Sequence, residues 1–95
     1  MAILRICHGV PEFDAWKRAF DADPIDRKAS QVYRYSVFRS VSDPNLVMVD
    51  LEFKTVPQAQ TFLEKLRHLW SGPARAAVNH PETWIVEQIS TTEVH

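Results

Sequence analysis

Apolar and polar positions along this chain follow two rhythms, and the changes of rhythm mark its elements. Leu46 to Lys54 is two-fold: Val47, Val49, Leu51 and Phe53 alternate with Met48, Asp50, Glu52 and Lys54. That spacing predicts a strand with one apolar face and one mostly charged face, in a sheet with helices on one side only. Val32 to Val41 alternates less cleanly, Tyr33, Tyr35 and Val37 against Arg34, Ser36 and Phe38, as suits a strand partly covered on both faces. Between these runs Ser42-Asp-Pro-Asn45 has turn chemistry, with aspartate before proline and an asparagine that tolerates left-handed backbone. Ala2 to His8 reads as a first strand, Leu4, Ile6 and His8 opposite Ile3, Arg5 and Cys7; Thr83 to Ser90 reads as the last.

The second rhythm is helical. In Glu12 to Ala22, Phe13, Trp16 and Phe20 share one side while Asp14, Lys17, Arg18 and Asp21 share the other. Pro11 fits the first turn of that helix, where its missing N–H is no loss. Asp23-Pro24 interrupts it, with Ile25 to Ser30 as one further turn. Thr55-Val-Pro-Gln58 matches a capping box, and Ala59, Phe62, Leu63, Leu66, Leu69 and Trp70 then recur on one face opposite Gln60, Glu64, Lys65, Arg67 and His68. Gly72-Pro73 stops this helix, Ala74 to Asn79 is a candidate short helix, and Thr91 to His95 is a polar, frayed end. The order β-α-β-β-α-β predicts an α+β ferredoxin-like sandwich, one domain over residues 1–95, with an antiparallel sheet in the order 4-1-3-2.

Composition narrows the partners. With 11 basic and 12 acidic residues there is no general attraction to nucleic acid or an anionic membrane, and no apolar run reaches the roughly 20 residues of a membrane span. The single cysteine, Cys7, and the absence of a secretory start predict a cytoplasmic protein. With only Gly9 and Gly72 in the chain there is no phosphate-cradling loop, so no nucleotide cofactor is expected. His8, His68 and His80 offer no ligand pair at metal spacing, and Cys7 alternates away from His8, so no metal is expected either.

The predicted strand order brings the end of the first strand, the Ser42 to Asn45 turn, the end of the long helix and the start of the last strand to one end of the sheet. His8, Trp70, His80 and Trp84 gather there. The tryptophans are first of all packing residues, and His8 continues the apolar face of Leu4 and Ile6. The same groups can form a cleft for a flat ligand, with Trp70, Trp84, Tyr35, Phe62 and Leu66 as its walls and His8 or His80 as a proton acceptor. Opposite charges across strands account for Arg5, Arg34, Asp50 and Glu52.

Val10-Pro-Glu-Phe-Asp-Ala-Trp-Lys-Arg-Ala-Phe20, the hairpin Val32 to Phe53 with its Asp43-Pro-Asn45 turn, and Leu66-Arg-His-Leu-Trp70 together resemble the dimeric α/β-barrel superfamily, close to antibiotic biosynthesis monooxygenase-like domains and small cyclase-like proteins. The resemblance implies a homodimer whose two sheets face each other inside a ring of helices. It implies a cofactor-independent oxygenation or cyclisation of an aromatic or polyketide-like compound. A haem-degrading branch of these relatives uses an asparagine on the first strand; Cys7 and His8 stand there instead, and no catalytic residue carries over. The alternative is a non-catalytic dimeric module that binds a small hydrophobic ligand.

Overall fold

The computed structural model describes residues 1–23, 26–72 and 78–95. Its elements run β1 (Ala2–Gly9), α1 (Phe13–Asp21), β2 (Arg34–Arg39), β3 (Leu46–Phe53), α2 (Val56–Ser71) and β4 (Asn79–Glu87). The four strands form one antiparallel sheet in the order β2-β3-β1-β4, the ferredoxin-like arrangement expected from the alternation of rhythms.

Register follows the two-fold pattern. Leu4 stands opposite Leu51 and Ile6 opposite Val49, so the apolar residues of both central strands share the face under the helices. Ala2, Leu4, Val47, Val49, Leu51 and Phe53 are buried there with Ala59, Phe62 and Leu63 of α2. The Thr55 capping box forms as expected, its hydroxyl accepting from Gln58 N–H while the Gln58 side chain reaches back to the Thr55 N–H. α2 packs closely on β1, β3 and β4, whereas α1 meets the core through Phe13, Trp16 and Phe20. Long aromatic side chains hold that helix, and the space they span becomes the site.

Three boundaries differ from the sequence reading. Pro11 precedes α1, because Glu12 is its cap and accepts at 3.1 Å from Asp14 N–H and at 2.7 Å from Ala15 N–H. β2 is shorter than Val32 to Val41, although Tyr33 N–H still donates to the Glu52 carbonyl just before it. β4 begins at Asn79 and ends at Glu87, running through the His80-Pro81 pair by means of a register shift opposite Cys7 and Gly9 and a positive φ of 49° at His80. Proline at the edge of a sheet removes no needed donor, which is why the strand tolerates it. The candidate turn at Ile25 to Ser30 is described only from Asp26 on, and most of the candidate helix at Ala74 to Asn79 lies outside the described residues.

Among the described residues no layer covers the other face of the sheet. Arg5 grips both oxygens of Asp50 at 2.9 and 3.0 Å, and Arg34 grips Glu52 at 2.7 and 2.9 Å. These pairs sit among apolar groups: Phe38 is 48% exposed and Trp84 47%.

Candidate functional site

A cavity of about 110 Å³ lies between α1, α2 and the helix-side face of β1 and β3. Its walls are almost wholly apolar. Ile6, Val49 and Leu51 supply the sheet side, Trp16 and Phe20 the α1 side, and Phe62, Leu66, Leu69 and Trp70 the α2 side. Each comes from the periodic pattern: Trp16 and Phe20 are one helical turn apart, as are Phe62, Leu66 and Trp70, so each helix presents one stripe to the same gap. Besides the indole N–H groups, the polar side chains lining it are His8 and Arg27.

His8 is 4% exposed at the end of β1. Its Nδ1 lies 3.0 Å from the Gly9 carbonyl oxygen, an acceptor only, so the proton of the neutral ring belongs on Nδ1 and the lone pair on Nε2. Burial pushes its pKa below the ordinary histidine value, and the Gly9 hydrogen bond only partly opposes that. The imidazole meets two indoles edge to face, Trp16 at a centroid distance of 5.5 Å and Trp70 at 6.5 Å. This end of the molecule therefore presents a neutral acceptor with a fixed tautomer between two flat aromatic surfaces. It can take a proton or accept a hydrogen bond from an acidic hydroxyl in an otherwise apolar space. Among the described residues no three His, Cys, Asp or Glu side chains come together as a cation would require.

Of the residues singled out from the sequence, the structure brings His8, Trp70, Phe62 and Leu66 to this cavity. It leaves the other three outside its walls. His80 lies at the same end of the sheet but is exposed at the start of β4. Trp84 stands opposite Arg5 and shares its open face, because β4 takes its register from β1. Tyr35 packs against Phe20 at a centroid distance of 5.3 Å, on the outer side of that ring. Sequence reasoning missed Trp16 and Arg27. The i, i+4 pair Trp16 and Phe20 was a signal for the first, since a helix that covers β1 must set that stripe over the His8 face. Nothing in the local pattern marks Arg27.

The sequence matches no family model and no curated protein. Solved structures do match over nearly the whole chain. A point variant of SnoaB, a cofactor-independent oxygenase from Streptomyces nogalater, superposes with a TM-score of 0.76 at 13% identity, covering 95% of this chain and 94% of that one. A candidate antibiotic biosynthesis monooxygenase from Deinococcus radiodurans gives 0.67 at 11% identity, over 100% and 99% of the two chains. Another from Nitrosomonas europaea gives 0.63 at 17% identity, over 95% and 100%. At these identities the likeness is one of fold, and in fold this chain stands with the antibiotic biosynthesis monooxygenase-like proteins.

Proposed function

We propose that the chain is a small enzyme of the antibiotic biosynthesis monooxygenase-like type, acting without a cofactor on a planar aromatic or polyketide-like compound held between Trp16 and Trp70. The observation that carries this reading is His8, a neutral imidazole with its free lone pair on Nε2 in an apolar cavity. An acidic phenol or enol gives its proton to Nε2, and the imidazolium so formed is stabilised by the oxyanion left beside it, which offsets the burial that otherwise disfavours it. The anion is electron-rich at carbon. It either reacts with dioxygen, one oxygen atom entering the ring and the other leaving as water, or closes onto a carbonyl of the same molecule. The indoles fix the ring plane, so the contribution of the walls is orientation.

The same reading includes a homodimer formed through the open sheet face. Phe38 and Trp84 supply apolar area, and the Arg5–Asp50 and Arg34–Glu52 pairs are already satisfied within one subunit, so a second copy can cover them without orphaning a charge. Sedimentation should give a dimer at micromolar concentration, and a stable folded monomer there would refute it. Turnover is tested by following oxygen consumption and product spectra with hydroxynaphthalene and anthrone substrates, in chelator, for the native protein and for His8→Phe. Loss of turnover in His8→Phe with binding retained is expected. Binding without turnover in the native protein would leave the non-catalytic module.

A further inference from the structure

Among the described residues the cavity wall holds one cation, and the proton transfer proposed above does not use it. Arg27 lines the cavity and also an outer groove between Asp21, Asp23, Lys28, Tyr33 and Tyr35, so it stands in the wall that separates the two. Its side chain is 11% exposed. The guanidinium carbon sits 4.1 Å from the Phe20 ring centroid and 4.7 Å from that of Tyr35. Nη2 donates to the Phe20 carbonyl at 2.9 Å, and Nε stands 3.4 Å from Asp23 Oδ1.

Two arginines of the sheet, Arg5 and Arg34, show by contrast what this arrangement leaves open. Arg5 and Arg34 each hold a carboxylate by both oxygens at 3.0 Å or less. Arg27 has one long contact with Asp23, and its Nη1 has no hydrogen-bond partner among the described residues. A guanidinium tolerates such enclosure because it is weakly hydrated and its faces are stabilised by aromatic rings. Its spare in-plane donors are then worth most to a ligand that brings an anionic oxygen in closer contact than that of Asp23. The backbone is shaped to set it there: Asp23 and Asp26 have φ of 56° and 57°, the Asp23 carboxylate accepts from Arg27 N–H at 2.9 Å, and the Arg27 carbonyl accepts from Val32 N–H at 2.9 Å.

We propose that Arg27 determines specificity by selecting, among planar aromatic compounds, those that carry an anionic oxygen, which it takes at the groove side of the cavity. This rests on reading the cavity as the ligand site. His8 and Arg27 then read two different substituents of one ligand, an acidic hydroxyl and an anion, and the apolar walls read the ring between them.

The test is a calorimetric titration of the full chain at neutral pH with naphthalene-2-carboxylate and with its neutral counterpart naphthalene-2-carboxamide. A charge-assisted contact should make the native protein bind the carboxylate about tenfold more tightly. Arg27→Gln should remove that preference by weakening the carboxylate alone, and Arg27→Lys should keep part of it. Equal binding of the two compounds by the native protein would overturn the proposal and leave the cavity reading intact, as would a preference that persists in Arg27→Gln. If neither compound binds, the cavity reading itself falls and this proposal with it. Should Arg27→Gln not fold, the native preference and its reduction in Arg27→Lys decide the matter.

Discussion

Truncating Leu66 to alanine separates a residue that borders a cavity from one sealed in the core. Leu4 is 0% exposed on a central strand and outside the cavity walls, so Leu4→Ala should show the full penalty of about 3–5 kcal/mol. Leu66 is partly buried and already borders the 110 Å³ space. Its three lost carbons are worth about 2.4 kcal/mol at about 0.8 kcal/mol per fully buried methylene, and roughly half of that at partial burial. The cavity term adds little, since no well-packed neighbour loses a partner on that side. Leu66→Ala should therefore cost about 1–1.5 kcal/mol, lowering the melting temperature by about 5–10 °C in a domain of this size. Arg67→Ala, one position on and exposed beside Glu64, should stay within about 0.5 kcal/mol. Urea melts at one protein concentration, with slopes compared to exclude a change of denatured state, give all three numbers. If Leu66→Ala cost as much as Leu4→Ala, the space beneath α2 would be closed and no ligand site. A cost equal to that of Arg67→Ala would mean that α2 turns a different face to the sheet.

Other outcomes follow from the same geometry. Trp70→Ala should weaken binding of naphthalene-2-carboxamide by on the order of 1–2 kcal/mol while the melt stays cooperative, and unchanged titrations would remove Trp70 from the site. Thr55→Ala should destabilise by about 1 kcal/mol through loss of the α2 cap, read from the same urea melts. The Arg34 hydrogen bond holds Glu52 below the ordinary carboxylate range, so on acidification the unfolded chain takes up that proton first; stability should fall as pH drops below about 4.3, and Glu52→Gln should flatten that limb. His8 has the opposite origin but the same sign: its folded pKa is lowered by burial, so the unfolded state protonates first below about 6.5, stability falls from there toward the folded value, and His8→Phe should abolish that slope.

The fold was legible because its signals are local and redundant. The strict alternation of Val47 to Phe53 sets one face of β3, antiparallel pairing passes that face to Leu4 and Ile6, and the Thr55 box with the Ala59 to Trp70 stripe sets α2 above them. The start of β4 was less legible, since His80-Pro81 is a local stop signal that the edge of a sheet can ignore at the cost of one left-handed residue and a register shift. The face of Trp84 does not depend on that shift: it is set by the regular pairing with β1, where Trp84 stands opposite Arg5 on the open side, away from His8.

The site was legible only as far as periodicity reaches. His8 follows Leu4 and Ile6 by two-residue steps, and Phe62, Leu66 and Trp70 follow one another by helical turns, so their convergence is a consequence of two regular elements stacked on each other. Arg27 is set instead by an irregular loop, through the left-handed residues at Asp23 and Asp26 and hydrogen bonds to Phe20 and Val32 that no spacing rule encodes. The regular elements thus build an apolar slot and one neutral base, which accommodate many planar molecules. Discrimination among those molecules falls to the loop, where Arg27, set against the rings of Phe20 and Tyr35, can change the preferred ligand charge without disturbing the packing that makes the slot.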